Sequence, residues 1–220
     1  RDPVMRMRRT GYAAMATIYA PAEQARALIA RVVQSHERVR GLTPSGTPYH
    51  ANDPELLNWV QATASYGFLE AYHRYVRKLN RRDRDLYFAE SAESSALYGA
   101  VGAPKSEAEW EAALAAMLPA LERSQIVFEF LDIVAKAPVL PSRTLQRLAI
   151  RGAIAITPPP VRDLLGIGRK AGPAGDALLR LIGACADVVP LNAPPLHAAR
   201  RMGLKPSALY CWPAQPSWRA

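Results

Sequence analysis

His36 is the residue of this sequence best suited to do chemistry, because a neutral imidazole can hold a metal and a protonated one can carry charge. It stands in the run His36-Glu37-Arg38-Val39-Arg40-Gly41. Leu28, Val32, His36 and Val39 recur at four- and three-residue steps, so on a helix they share one face. An imidazole on such a face is either a satisfied core side chain or a ligand for a metal or heme iron. By itself the spacing favours the core reading. Arg6, Arg9 and Thr10 are spaced to put two guanidiniums and a hydroxyl on one helix face. That face suits carboxylates, or simply water. A third group runs through Gly46-Thr47-Pro48-Tyr49, Ala51, Asp53-Pro54, Leu57, Trp59-Val60 and Ala62-Thr63. Locally it is a loop leading into a capped helix.

Other constellations are weaker. Asp83, Asp85, Glu90 and Glu93 lack a Glu-x-x-His partner for a di-iron bundle and are expected to face solvent. His73 and His197 are isolated. Ser45-Gly46 is not a nucleophile elbow, and Gly166-Ile167-Gly168 follows no strand, so it is not a dinucleotide loop. Trp59, Tyr66, Tyr72 and Tyr75 are expected in the core. Cys185 and Cys211 form no disulfide framework or zinc site, which suits reduced thiols of an intracellular protein.

The elements that must position these residues are helices. Alanine and leucine dominate, and β-branched runs are short. The segment Arg1–Tyr19 reads as the end of one helix running into another. A helix over Ala22–Arg38 follows, opened by Pro21 and Glu23 and stopped at Gly41. Gly41–Ala51 reads as a loop or short hairpin. Asn52-Asp53-Pro54 starts a helix over Glu55–Leu79, with Leu57, Val60, Ala64, Phe68, Tyr72 and Tyr75 as its apolar stripe. Arg77 to Asp85 reads as a solvated turn. Further helices are expected over Arg84–Tyr98, Glu107–Ser124 (a capping box at Ser106 and Glu109), Phe128–Ala135 and Arg143–Ile156. Shorter ones follow over Pro160–Leu165, Gly175–Asp187 and Pro195–Met202. The tail after Gly203 is expected to drape over the surface.

The 220 residues, half of them hydrophobic and 21% charged, suffice for one sizeable domain, expected over residues 1–220. The net charge of +9 is spread, with small knots at Arg6–Arg9, Arg77–Arg84 and Arg200–Arg201. RNA-binding signatures and zinc-finger spacings are absent, so nucleic acid is not an expected partner. No apolar run reaches membrane-spanning length and no signal peptide stands at the start. The expectation is a cytoplasmic chain, with an upstream targeting segment left open by a start at Arg1.

Taken together, the three clusters resemble a known family. The shared pattern is Asp-Pro with Arg-x-x-Arg-Thr, then His-x-x-Val-x-Gly, then Gly-x-x-Tyr-x-Ala-x-Asp-Pro and Leu-Leu-x-Trp-Val. It is similar to the oxygenase family of the bacterial latex-clearing rubber oxygenases and the fungal endoplasmic-reticulum oxygenase of mycophenolic acid synthesis. The close match runs from Asp2 to about Gly102; Leu140-Pro141, Leu164-Leu165-Gly166 and Ala198 to Gly203 fit loosely.

The resemblance implies an all-α fold of the rubber-oxygenase catalytic type holding heme b. It implies an oxidoreductase that uses O2 on an apolar small molecule. His36 matches the histidine that binds the iron, and Arg6 and Thr10 match residues beside the heme. Arg9 stands where a lysine can occupy the far side of the iron. Arginine stays protonated and has no lone pair to give, so Arg9 is expected to leave that side open or to water. Gln61 replaces a histidine after Trp-Val and cannot do its proton transfer. The chain is much shorter than the rubber oxygenases, so polymer cleavage does not carry over. The alternative is a non-catalytic helical protein that keeps the fold without heme and meets a partner through its basic surface.

Overall fold

Helix signals and breaks divide the chain into ten α-helices and one two-stranded hairpin among the described residues. The computed structural model describes residues 3–43, 45–137, 140, 142–168, 172–188, 192–205 and 208–209. The N-terminal segment is one helix, α1 (Pro3–Tyr19), not the junction of two, because nothing between Val4 and Tyr19 interrupts it. Pro21 then fixes the entry to α2 (Ala22–His36), and the two helices pack against each other. Strands β1 (Arg40–Leu42) and β2 (Pro48–His50) pair antiparallel, Gly41 opposite Tyr49. Gly46 closes the turn at φ 86°, a backbone conformation that glycine takes at no steric cost.

Asp53 caps α3 (Pro54–Tyr75), accepting from the amides of Glu55 at 2.9 Å and Leu56 at 3.3 Å. Asn80 caps α4 (Arg81–Leu97) and Ser106 caps α5 (Glu107–Met117). Helix α5 stops short of the expected Ser124, passing into a 3-10 turn over Leu118–Ala120 that carries Pro119. Ser124 and Ser142 cap α6 (Gln125–Lys136) and α7 (Arg143–Ile156). Then come α8 (Pro159–Leu165), α9 (Pro173–Val188) and α10 (Pro194–Arg201). Most of the tail after Gly203 and all of Cys211 lie outside the described residues, while Cys185 is free and exposed.

Helix α3 is the central element and packs against α4, α5, α7 and α9. Its Ala62 and Leu69 join Phe88 and Trp110 in the main buried cluster. Trp110 stacks on Tyr66 with ring centroids 4.6 Å apart and on Trp59 at 5.9 Å. Leu57 packs separately with Ala100 and Ala103. Helix α9 comes so close that a Cβ on Gly183 would overlap the Tyr75 carbonyl oxygen.

Two sequence expectations change here. The stripe on α3 splits: Leu57 is buried, while Val60, Ala64, Phe68 and Tyr72 are exposed. The segment Arg77 to Asp85 is more than a solvated turn. Arg84 is half-buried and pairs with Glu70 at 3.2 Å and with Glu107, and the Asp85 carboxylate accepts from the Glu107 amide at 2.9 Å. Desolvation works to lower the Arg84 pKa, but those two carboxylates outweigh it and raise it.

Candidate functional site

Helix α2 ends at His36, whose carbonyl accepts from the Val39 amide at 2.9 Å. Ala25 and Ile29 are buried on this helix; Leu28, Val32, Val33 and His36 are half-buried. Of the face anticipated from the spacing, Leu28, Val32 and His36 lie on α2 with His36 at its C-terminal end, whereas Val39 falls beyond the helix and is exposed, because the chain turns into β1 there. Its Nδ1 is buried and has no hydrogen-bond partner among the described residues. The other histidines differ. His73 Nδ1 accepts from the Leu79 amide at 3.0 Å, and burial with the nearby Lys78 charge lowers its pKa. His50 Nε2 lies 3.3 Å from the Glu37 carbonyl, and His197 is exposed.

The hairpin fastens this helix end. The Ala51 amide donates to the Val39 carbonyl at 3.0 Å. Asn52 donates through Nδ2 to the Val33 carbonyl at 3.1 Å and to the Glu37 carboxylate at 2.5 Å. A Cβ on Gly41 would fall 2.8 Å from the Tyr49 ring, so only glycine lets that ring lie on β1. The spacing that joins His36 to Gly41 and Tyr49 to Asp53 thus describes one structural unit. Its residues hold the end of α2 against the start of α3.

In the sequence Asn52 reads only as part of a helix start. In the structure it ties the two helices, and its Oδ1 is buried without a partner among the described residues, as is His36 Nδ1. A polar residue just before the capping Asp53 was the signal available. An uncapped amide at that position has to bond elsewhere.

Arg6, Arg9 and Thr10 lie on exposed turns of α1. The Thr10 hydroxyl donates to the Arg6 carbonyl at 3.1 Å. Among the described residues no hydrogen bond or ion pair joins these three to His36, and none holds either guanidinium to a carboxylate. The structure therefore leaves two cations available on the helix that packs against α2. Gln61 is half-buried on α3. Asp85 serves the Glu107 amide, and no group of three His, Cys, Asp or Glu side chains among the described residues could hold a metal ion. Any metal at His36 would thus arrive with ligands of its own. Gly166 adopts φ 67° as the C-terminal cap of α8, a role unrelated to phosphate. No helix among the described residues is long and apolar enough to cross a membrane.

Comparison of the chain with curated proteins and with solved structures gave no match. Its sequence does match the family model described as "ER-bound oxygenase mpaB/B'/Rubber oxygenase, catalytic domain" over residues 1–187. The match takes in the α1 arginines, His36, the hairpin and all of α3, and the all-α architecture agrees with it. The chain therefore belongs to the family of the mpaB and rubber oxygenase catalytic domains.

Proposed function

We propose that this oxygenase-family chain binds heme b through His36 and acts with O2 on an apolar small molecule. The observation that carries the reading is the buried, unpartnered Nδ1 of His36. A buried imidazole nitrogen without a partner costs about 1–3 kcal/mol, so it calls for a ligand or an acceptor. The residues present fit heme in two respects. The imidazole of His36 needs no other protein ligand beside the porphyrin nitrogens. Arg6 and Arg9 have no carboxylate partner among the described residues and are cations suited to propionates.

Heme would supply the activation of O2. The protein's own part is positioning and polarity. Asn52 Oδ1 is the unpartnered acceptor at the same helix end, and accepting from Nδ1–H would fix the tautomer that leaves Nε2 for the iron. Thr10 already spends its proton on the Arg6 carbonyl, so its oxygen offers lone pairs to a neighbour. Gln61 can orient a polar group by hydrogen bonding but cannot act as a general base. Leu56, Val60, Ala64, Phe68 and Tyr72, four residues apart, form an exposed apolar stripe that starts beside the Asn52 tie to α2. That stripe would receive the apolar part of a substrate.

Titrating the purified chain with hemin, followed by absorbance, tests the reading. A Soret band that saturates at one heme per chain and is lost in His36→Ala is the expected result. Asn52→Ala should weaken heme about tenfold or more. Asn52→Asp keeps an acceptor and should weaken heme less than Asn52→Ala, although both variants lose the amide donor to Val33 and Glu37. An unchanged band in His36→Ala would overturn the assignment of His36, and no Soret band at all would leave the non-catalytic reading.

A further inference from the structure

The heme reading leaves unused a cleft between α6 and α7, with a volume of about 500 Å³. Each helix contributes one face. On α7 these are Arg147, Ile150, Arg151 and Ile154, spaced i, i+3, i+4 and i+7, and α6 offers the matching face from Phe128 to Ala135. Gln146 fixes the two helices as a unit. It is buried, its amide donates to the Val134 and Ala137 carbonyls at the end of α6, and it accepts from the Leu140 amide at 3.3 Å. The facing side chains therefore meet without filling the space between them.

The walls are mainly apolar, but the charge is one-sided. Arg147 and Arg151 line the cleft, and neither has an acidic partner among the described residues. The Arg123 guanidinium lies over the Phe128 ring, 5.1 Å from its centroid, and would be 3.4 Å from a Cβ on Gly166 at the cleft edge. The one acid in the lining, Asp132, is already paired with Lys136 at 2.6 Å. An apolar slot with cations and no free acid complements a long chain that ends in an anion.

The cleft is separate from His36. Helix α7 meets the middle and far end of α3, through Tyr66 to the Ile156 carbonyl at 2.9 Å and Tyr75 to the Gly152 carbonyl at 3.1 Å. The end of α2 meets the opposite end of α3, at Asn52.

We propose that this cleft binds an alkyl chain bearing an oxyanion, a carboxylate or a phosphate monoester, with the head on Arg147 and Arg151 and the chain along Ile150, Ile154 and Leu131. Calorimetric titration of the full chain tests this with four probes: dodecanoate and dodecyl phosphate below their micelle concentrations, dodecanol below its solubility limit, and acetate. At least one of the two long anions should bind, and which one binds identifies the head group. Dodecanol should bind about tenfold more weakly or less, and acetate not measurably. Arg147→Gln/Arg151→Gln replaces exposed side chains and should weaken the anions about tenfold while leaving dodecanol unchanged. Ala135→Phe, which fills the cleft, should abolish binding of all chains with the far-UV spectrum intact. Binding of the anions should persist in His36→Ala. Failure of both long anions to bind, equal binding in the double arginine variant, or loss in His36→Ala would overturn the proposal.

Discussion

At Gly41 a single hydrogen stands where any other residue would carry a Cβ within 2.8 Å of the Tyr49 ring. Tyr49 is 38% exposed, so in Gly41→Ala the ring can swing outward instead of straining the backbone. The expected loss is about 1 kcal/mol, from packing given up by the ring. In a Tyr49→Ala background the same change should cost almost nothing. Urea unfolding of the four proteins in that cycle measures the coupling, and additive losses would show that the ring does not lie on Gly41. The same contact explains why glycine and tyrosine belong to one pattern with His36. They do no chemistry themselves, but they shape the hairpin that fastens the end of α2. How His36 differs from His73 is also a matter of single atoms. The Nδ1 of His73 is taken by the Leu79 amide, and that of His36 is buried without a hydrogen-bond partner among the described residues.

Helix α3 is apolar nearly all round, as a helix surrounded by neighbours should be. Its buried side meets α4, α5, α7 and α9, and its stripe of Leu56, Val60, Ala64, Phe68 and Tyr72 stays exposed. The closest of these helix contacts depends on Gly183, where the α9 backbone meets the carbonyl of Tyr75. Backbone cannot rotate away as a side chain can, so Gly183→Ala must push α9 off α3. A loss of about 1–3 kcal/mol or more is expected, although alanine favours a helix over glycine by about 1 kcal/mol. Thermal unfolding measures it. A stabilised Gly183→Ala protein would mean that the α3–α9 contact is not as close as described. The capping residues Asp53 and Ser106 and the prolines that open helices were readable as local signals. Which face of α3 is covered was not, because several faces of that helix are equally apolar.

For the molecule as a whole, the aromatic centre couples stability to alkaline pH. The Tyr66 hydroxyl donates to the Ile156 carbonyl between α3 and α7, and burial, aided by Glu70, pushes its pKa up to about 12. The folded state thus favours the neutral phenol more than the unfolded chain does. This contribution is fully present below pH 10 and is lost as pH rises from 10 towards about 12. Stability measured by urea unfolding should fall across that window, and Tyr66→Phe should flatten the fall. A parent chain whose stability is constant there would refute the assignment. The net charge of +9 acts at the same scale. Acids near the core are engaged by Arg84, while Arg6, Arg9, Arg147 and Arg151 have no carboxylate partner among the described residues, so basic patches are what the surface offers to ligands.

The sequence by itself determined the family, the helical class, and the places where caps and breaks divide the helices. It did so because those properties rest on local backbone bonding and on short motifs. It also singled out His36, through a spacing that the fold keeps for Leu28 and Val32 but not for Val39. The tertiary structure alone decided that Arg84 is an ion-paired, half-buried cation and not part of a solvated turn. Its partners Glu70 and Glu107 stand 14 and 23 residues away, beyond any local pattern. Only the fold revealed Asn52 as the tie between α2 and α3 and opened the cleft between α6 and α7. Both depend on which helices meet and how closely their side chains fill the space, and periodicity along one helix carries no record of that.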